Sequence, residues 1–205
     1  MKAFVWFQIC ICVLLALFFI QSLQAFQGNA ASNPEDLLVS YTEKNKLVQP
    51  SGQDIKISVY RDGYVLIVLP EAMRGGGLYH TVLEQEKLDA LWTLLTDNEI
   101  LAFDAQAVRE MIKKERRLMK ESRAVVTSVS DKTEIIIEIY PNRYSSQELE
   151  GLADEDHDVI RHIVWTGLRW DAEQYPHIES IRLLSEIQRE LLSIFDRDDL
   201  QPIAP

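Results

Sequence analysis

Cysteine is nearly missing from this chain. The two it has, Cys10 and Cys12, both lie in an apolar N-terminal run. Once that run is set aside, a disulfide framework, a thiol nucleophile and a cysteine-held metal are all excluded. Glycosylation acceptors are missing too, because Asn29, Asn33, Asn45, Asn98 and Asn142 each lack Ser or Thr two positions on. No G-x-S-x-G elbow, H-E-x-x-H zinc motif, Gly-Lys-Ser/Thr phosphate loop or G-x-G-x-x-G fingerprint occurs. The four histidines, His80, His157, His162 and His177, stand apart from any recognisable serine partner. The reading is therefore non-catalytic, without cofactor, metal site or catalytic residue. The alternative is a hydrolase or metal-dependent enzyme whose site spacing does not reveal.

Positive charge is also scarce. The formal net charge is −11, and becomes −12 if Lys2 is removed. An acidic surface repels nucleic acid and anionic lipid at long range, which excludes nucleic acid as a partner. Lys2, the run "AFVWFQICICVLLALFFI" and the polar "QSLQA" form the pattern of a secretory signal peptide over residues 1–25. Cleavage is expected after Ala25, with Ala30 as the second candidate. The run also approaches the roughly 18 apolar residues that cross a bilayer, so an uncleaved anchor is the alternative and the one route to a membrane. Export without disulfides, glycosylation sites or a lipoprotein cysteine points to a bacterial periplasm or the extracellular space. Roughly 175 residues then remain, enough for one domain with a real core. The expected organisation is a flexible leader over 26–36, a single domain over 37–198 and a flexible tail over 199–205.

Local patterns set the fold class. Ile55, Ile57 and Val59 alternate with Lys56, Ser58 and Tyr60; Asp62-Gly63 is a preferred two-residue turn; and Tyr64 to Leu69 is almost continuously apolar. This predicts a β-hairpin. The triplet Gly75-Gly76-Gly77 follows it and precedes strand-like "LYHTVL", so it reads as a strand connection requiring positive φ rather than as a phosphate cradle. Leu88, Leu91, Trp92 and Leu95 then form a helical stripe, and Val108, Met111, Ile112, Leu118 and Met119 form a second on a heavily charged helix. "AVVTSV" and "TEIIIEIYP" read as strands joined at Asp131-Lys132, and "HDVIRHIVWTGL" as a strand pairing back on Ile135 to Tyr140. "RWDAEQYP" reads as a loop before a last amphipathic helix from His177 to Phe195. Together these predict an α+β fold: a mostly antiparallel sheet built from hairpins, with amphipathic helices on one face.

Three features carry candidate function. Asp154, Asp156 and Asp158 alternate like the start of a calcium loop, but Val159 and Trp165 occupy the positions that need Gly and Glu. The segment reads as a solvated acidic loop. Trp165, Trp170 and Tyr175 cluster, with Trp165 expected in the core and Trp170, between Arg169 and Asp171, on the surface. Finally, residues 109–123 carry +4, while Glu148, Glu150, Asp154, Glu155, Asp156 and Asp158 place six negative charges within eleven residues. Separated blocks of charge orient encounters, which makes Arg109, Lys113, Arg116, Arg117, Lys120 and Trp170 the candidate contacts for a protein partner. Pairing of the two blocks within the monomer is the competing account.

The layout is similar to that of emfourin-type proteins, small bacterial α+β inhibitors of metalloproteases. The matching pieces are "GGG", "LDALWTLL", "EIIIEIYP" and "IRLLSEIQRELL". That resemblance implies an inhibitor-like or accessory role and transfers no functional residue.

Overall fold

The hairpin forms where the alternation predicts it. In the computed structural model, which describes residues 33–44, 54–73, 75–121, 133–144 and 160–203, strand β2 is Ile55–Tyr60 and β3 is Tyr64–Leu69. They pair antiparallel, Ile57 opposite Ile67 and Val59 opposite Val65, so their apolar residues share one face. The turn differs from the two-residue type expected. Its loop is Arg61-Asp62-Gly63, closed by Gly63 N–H donating to Tyr60 O at 2.9 Å, with Gly63 at φ +81°. That is the three-residue loop with a left-handed third position. Its cause is tertiary: Gly63 O accepts from Leu83 N at 2.8 Å, and a Cβ on Gly63 would lie 2.6 Å from Leu83 O.

Around this hairpin grows a seven-stranded sheet in which every pairing is antiparallel. Strands β1 (Leu37–Lys44), β2, β3 and β4 (Gly77–Val82) lie side by side in chain order. The chain then builds helices α1 (Gln85–Leu95), α2 (Asn98–Leu101) and α3 (Ala105–Glu121). It returns as β5 (Glu134–Ile139) beside β1 and β6 (Arg161–Thr166) beside β5. Helices α4 (Leu168–Gln174) and α5 (Glu179–Ser193) complete the α+β fold. Strand β6 pairs antiparallel with β5, as the sequence predicts, and the register sets Trp165 opposite Ile135. Segment 124–129, read as another strand, lies outside the described residues; β1 and β6 already occupy both sides of β5.

Period-two burial gives the sheet its inner face. Tyr41, Ile57, Val59, Val65, Ile67, Ile135, Ile137 and Trp165 are all buried, against Ile181, Leu184, Ile187 and Leu191 of α5 and Leu88, Leu91 and Leu95 of α1. Each such aliphatic side chain contributes about 1.5–3 kcal/mol by leaving water. Trp92, expected within the α1 stripe, packs half-buried against the core and against Tyr144, ring centroids 5.1 Å apart.

The glycine triplet connects β3 to β4 and carries positive φ, as expected. Positive φ falls on Gly75 (+76°) and Gly77 (+142°), not on Gly76. Gly76 is required by crowding, since a Cβ there would lie 2.2 Å from Pro70 O and 2.6 Å from the Cα of Glu71.

Residues 199–205, read as a flexible tail, include an ordered piece. Strand β7 (Gln201–Pro202) pairs with β4, and Ile203 N–H donates to Leu78 O at 2.9 Å. Asp199 pins it: its carboxylate accepts from Thr81 Oγ1 at 3.0 Å and pairs with Arg197 at 2.7 Å. Apolar periodicity cannot reveal such a polar clasp. The Arg197 guanidinium, with help from the Thr81 hydroxyl, holds the Asp199 carboxyl down at about 2, against an ordinary 3.8. A carboxyl depressed on folding stabilises above its unfolded value and loses that contribution as pH falls through the folded one. The protection factor of the Ile203 amide should therefore hold at pH 4 and fall steeply towards pH 2. In Asp199→Asn it should be lower at pH 4 and show no such step. Hydrogen exchange by NMR checks both.

Candidate functional site

Helix α3 is positioned by its ends and its narrow apolar stripe. Asp104 Oδ1 accepts from the backbone N–H of Gln106 at 2.8 Å and of Ala107 at 3.0 Å, satisfying two of the donors a helix start leaves open. Val108 and Ile112 are buried and Met119 is half-buried against the core. Met111 and Leu118, expected in the same stripe, are 47% and 56% exposed. The helix therefore rests on one thin line of contacts, with the flanking positions left to its charges.

Arg109, Lys113 and Arg116 follow one another at i, i+4 and i+7, which places them on one face. With Ile112, Trp165, Thr166 and Asp171 they line a cleft of about 280 Å³. The Arg109 guanidinium carbon lies 5.2 Å from the Trp165 ring centroid, within cation–π range, and its Nη2 donates to Val164 O at 3.3 Å. Phe103 meets Trp165 edge-on at 5.7 Å, which fixes the indole. Trp165 Nε1 donates to Asp171 Oδ2 at 2.9 Å, and Asp171 is only 6% exposed. Asp171 lies in the first turn of α4, where the helix dipole favours a negative charge.

The cations of α3 differ in what already holds them. Lys113 pairs loosely with Glu110 at 3.4 Å on the open surface, an interaction of at most about 1 kcal/mol. Glu115 is drawn away from the helix's own cations to His177, 2.8 Å distant. Arg116, Arg117 and Lys120 form no ion pair with any described residue, and the buried Nε of Arg116 has no hydrogen-bond partner. A donor buried without an acceptor costs about 1–3 kcal/mol.

The candidate residues thus fall into three groups. Arg109, Lys113 and Arg116 converge on one cleft; Arg117 and Lys120 are exposed on α3 and do not line it. Trp170 lies in neither place, and the loop predicted around it is helix α4. Gly167, left-handed at φ +79°, turns the chain directly from β6 into that helix. Trp170 N–H donates back to Gly167 O at 3.1 Å, and its side chain, 36% exposed, borders a separate cleft of about 690 Å³ with Arg169 and Arg189. Asp171 and the Trp165 indole N–H were not legible as site features. A single acceptor six residues after a core tryptophan gives no periodic signal.

The acidic segment 148–158 and residues 1–25 lie outside the described residues. Among the described residues, no helix is long and apolar enough to cross a membrane, and no three His, Asp or Glu side chains group to hold a metal ion. No family model and no curated protein matches the chain, so the emfourin-type likeness rests on the order of its elements alone.

Proposed function

We propose that this is an exported, non-catalytic binding protein that docks an acidic stretch of a protein partner along the basic face of α3. The observation that carries this reading is the convergence of Arg109, Lys113 and Arg116 on one cleft, with the buried Arg116 Nε lacking an acceptor. A carboxylate entering there meets charge-assisted donors, and Arg is well suited to hold it bidentately. Trp165, buried beneath Arg109, holds that guanidinium in place by cation–π contact. The net charge of −11 opposes an acidic partner at long range. At physiological ionic strength, however, screening acts over about 8 Å, so the local +4 of residues 109–123 governs the last approach. The inhibitor-like role implied by the layout would be one form of such docking.

A fluorescein-labelled decapeptide alternating Glu and Ala tests the reading by anisotropy on the full chain. It should bind at least tenfold tighter than the same peptide with Gln in place of Glu. Its affinity should drop several-fold between 50 and 300 mM NaCl. Equal binding of the two peptides would refute an acidic partner at this cleft. For export, the chain recovered from outside the cytoplasm should begin near Phe26 or Ala31 by intact mass. A full-length species released only by detergent would replace cleavage with anchoring.

A further inference from the structure

A second cavity lies away from the basic helix, beside the loop that joins β3 to β4. Its volume is about 490 Å³, within the range of pockets that enclose small organic molecules. Ile55, Ile67 and Leu69 of the sheet form one wall, and Leu192, Phe195 and Leu200 close the other. The loop itself contributes Met73 and Gly75, where Tyr79 Oη donates to Gly75 O at 2.8 Å.

Two groups break this apolar lining with charge of a single sign. Glu43 and Asp196 both border the cavity, and both also border the adjoining cleft of about 690 Å³. Neither forms an ion pair with a described residue. Glu43 is held in place: Gln188 Nε2 donates to Tyr41 Oη at 2.9 Å, and Tyr41 Oη donates to Glu43 Oε2 at 2.7 Å. Burial, reinforced by the Glu43 carboxylate, keeps the Tyr41 phenol well above its ordinary 10, so it remains the donor at any physiological pH. One carboxylate oxygen is thereby oriented, and the other is left for a cation.

The geometry points to a binding site for a single-chain amphiphilic cation, an aliphatic tail in the cavity and an ammonium head between Glu43 and Asp196. An apolar tail gains about fourfold in affinity for each methylene buried. The head meets two carboxylates in a cavity that no described Lys or Arg lines, Arg169 and Arg189 bordering only the adjoining cleft. A neutral head leaves both carboxylates as they were, and an anionic head is repelled.

Calorimetry on the full chain with decylammonium, decanol and decanoate tests the assignment. Decylammonium should bind saturably, at least tenfold tighter than decanol, with decanoate weaker still. Octylammonium should bind about sixteenfold more weakly than decylammonium, two methylenes being lost. The conservative pair Glu43→Gln and Asp196→Asn should bring decylammonium and decanol within threefold of each other, with decanol binding unchanged. Asp196→Asn alone, at an exposed position, should give an intermediate preference. Absence of saturable decylammonium binding, comparable affinity for the amine and the alcohol, or a full preference surviving in the double variant would each overturn it.

Discussion

Replacing Gly76 by Ala should lower stability by about 2–3 kcal/mol, the upper range for forcing atoms into a filled space. For a chain of this size that corresponds to a fall in Tm of roughly 4–12 °C. The cause is backbone crowding, because the new methyl would sit 2.2 Å from Pro70 O and 2.6 Å from the Cα of Glu71, and neither atom can rotate away. The neighbouring glycine is the control. Gly75 has positive φ, but a Cβ there would meet only Tyr79 Oη, at 3.7 Å. Gly75→Ala should therefore cost about 1 kcal/mol of backbone strain and no clash. Thermal denaturation of the two variants ranks them, and a greater loss in Gly75→Ala would show that φ, not space, governs the turn.

The second large effect is expected at Asp171, where core and cleft meet. Asp171→Ala leaves the Trp165 indole N–H buried without its 2.9 Å acceptor, at a cost of about 1–3 kcal/mol. Asp171→Asn keeps an oxygen in place and should lose less than half as much. The two readouts should then move in opposite directions in Asp171→Asn. Removing the one carboxylate from a cleft lined by Arg109, Lys113 and Arg116 should tighten binding of the Glu-Ala decapeptide severalfold while stability falls slightly. Urea denaturation and anisotropy on the same preparation check both directions. Weaker peptide binding in Asp171→Asn would mean that Asp171 orients the cations rather than opposing a ligand.

Legibility followed periodicity. The alternation from Ile55 to Val59, the return of β6 onto β5 and the α5 stripe from Ile181 to Leu191 each express a repeat that burial rewards along many residues. What escaped depends on single contacts between distant segments. The turn at Gly63 is set by Leu83, the tail is tied down by Asp199 on Thr81, and Gly76 is fixed by Pro70. "RWDAEQ" has no apolar face long enough to announce a helix, yet Gly167 starts one. The candidate site was legible in part for the same reason. Helical spacing brings Arg109, Lys113 and Arg116 onto one face, but only the β6 edge and α4 turn that face into a cleft and leave Arg117, Lys120 and Trp170 outside it.

The central claim is that the α3 cations face a partner rather than being neutralised within the monomer. Two double reversals measured side by side test it most directly. Arg109→Glu with Arg116→Glu alters the cleft, and Arg117→Glu with Lys120→Glu changes the helix charge equally outside it. The Glu-Ala decapeptide should lose at least tenfold in affinity for the first variant and less than threefold for the second, with Tm falling by only a few degrees in either. A large loss of Tm with peptide affinity unchanged in the cleft variant would contradict the account, and would show that those charges serve the fold alone.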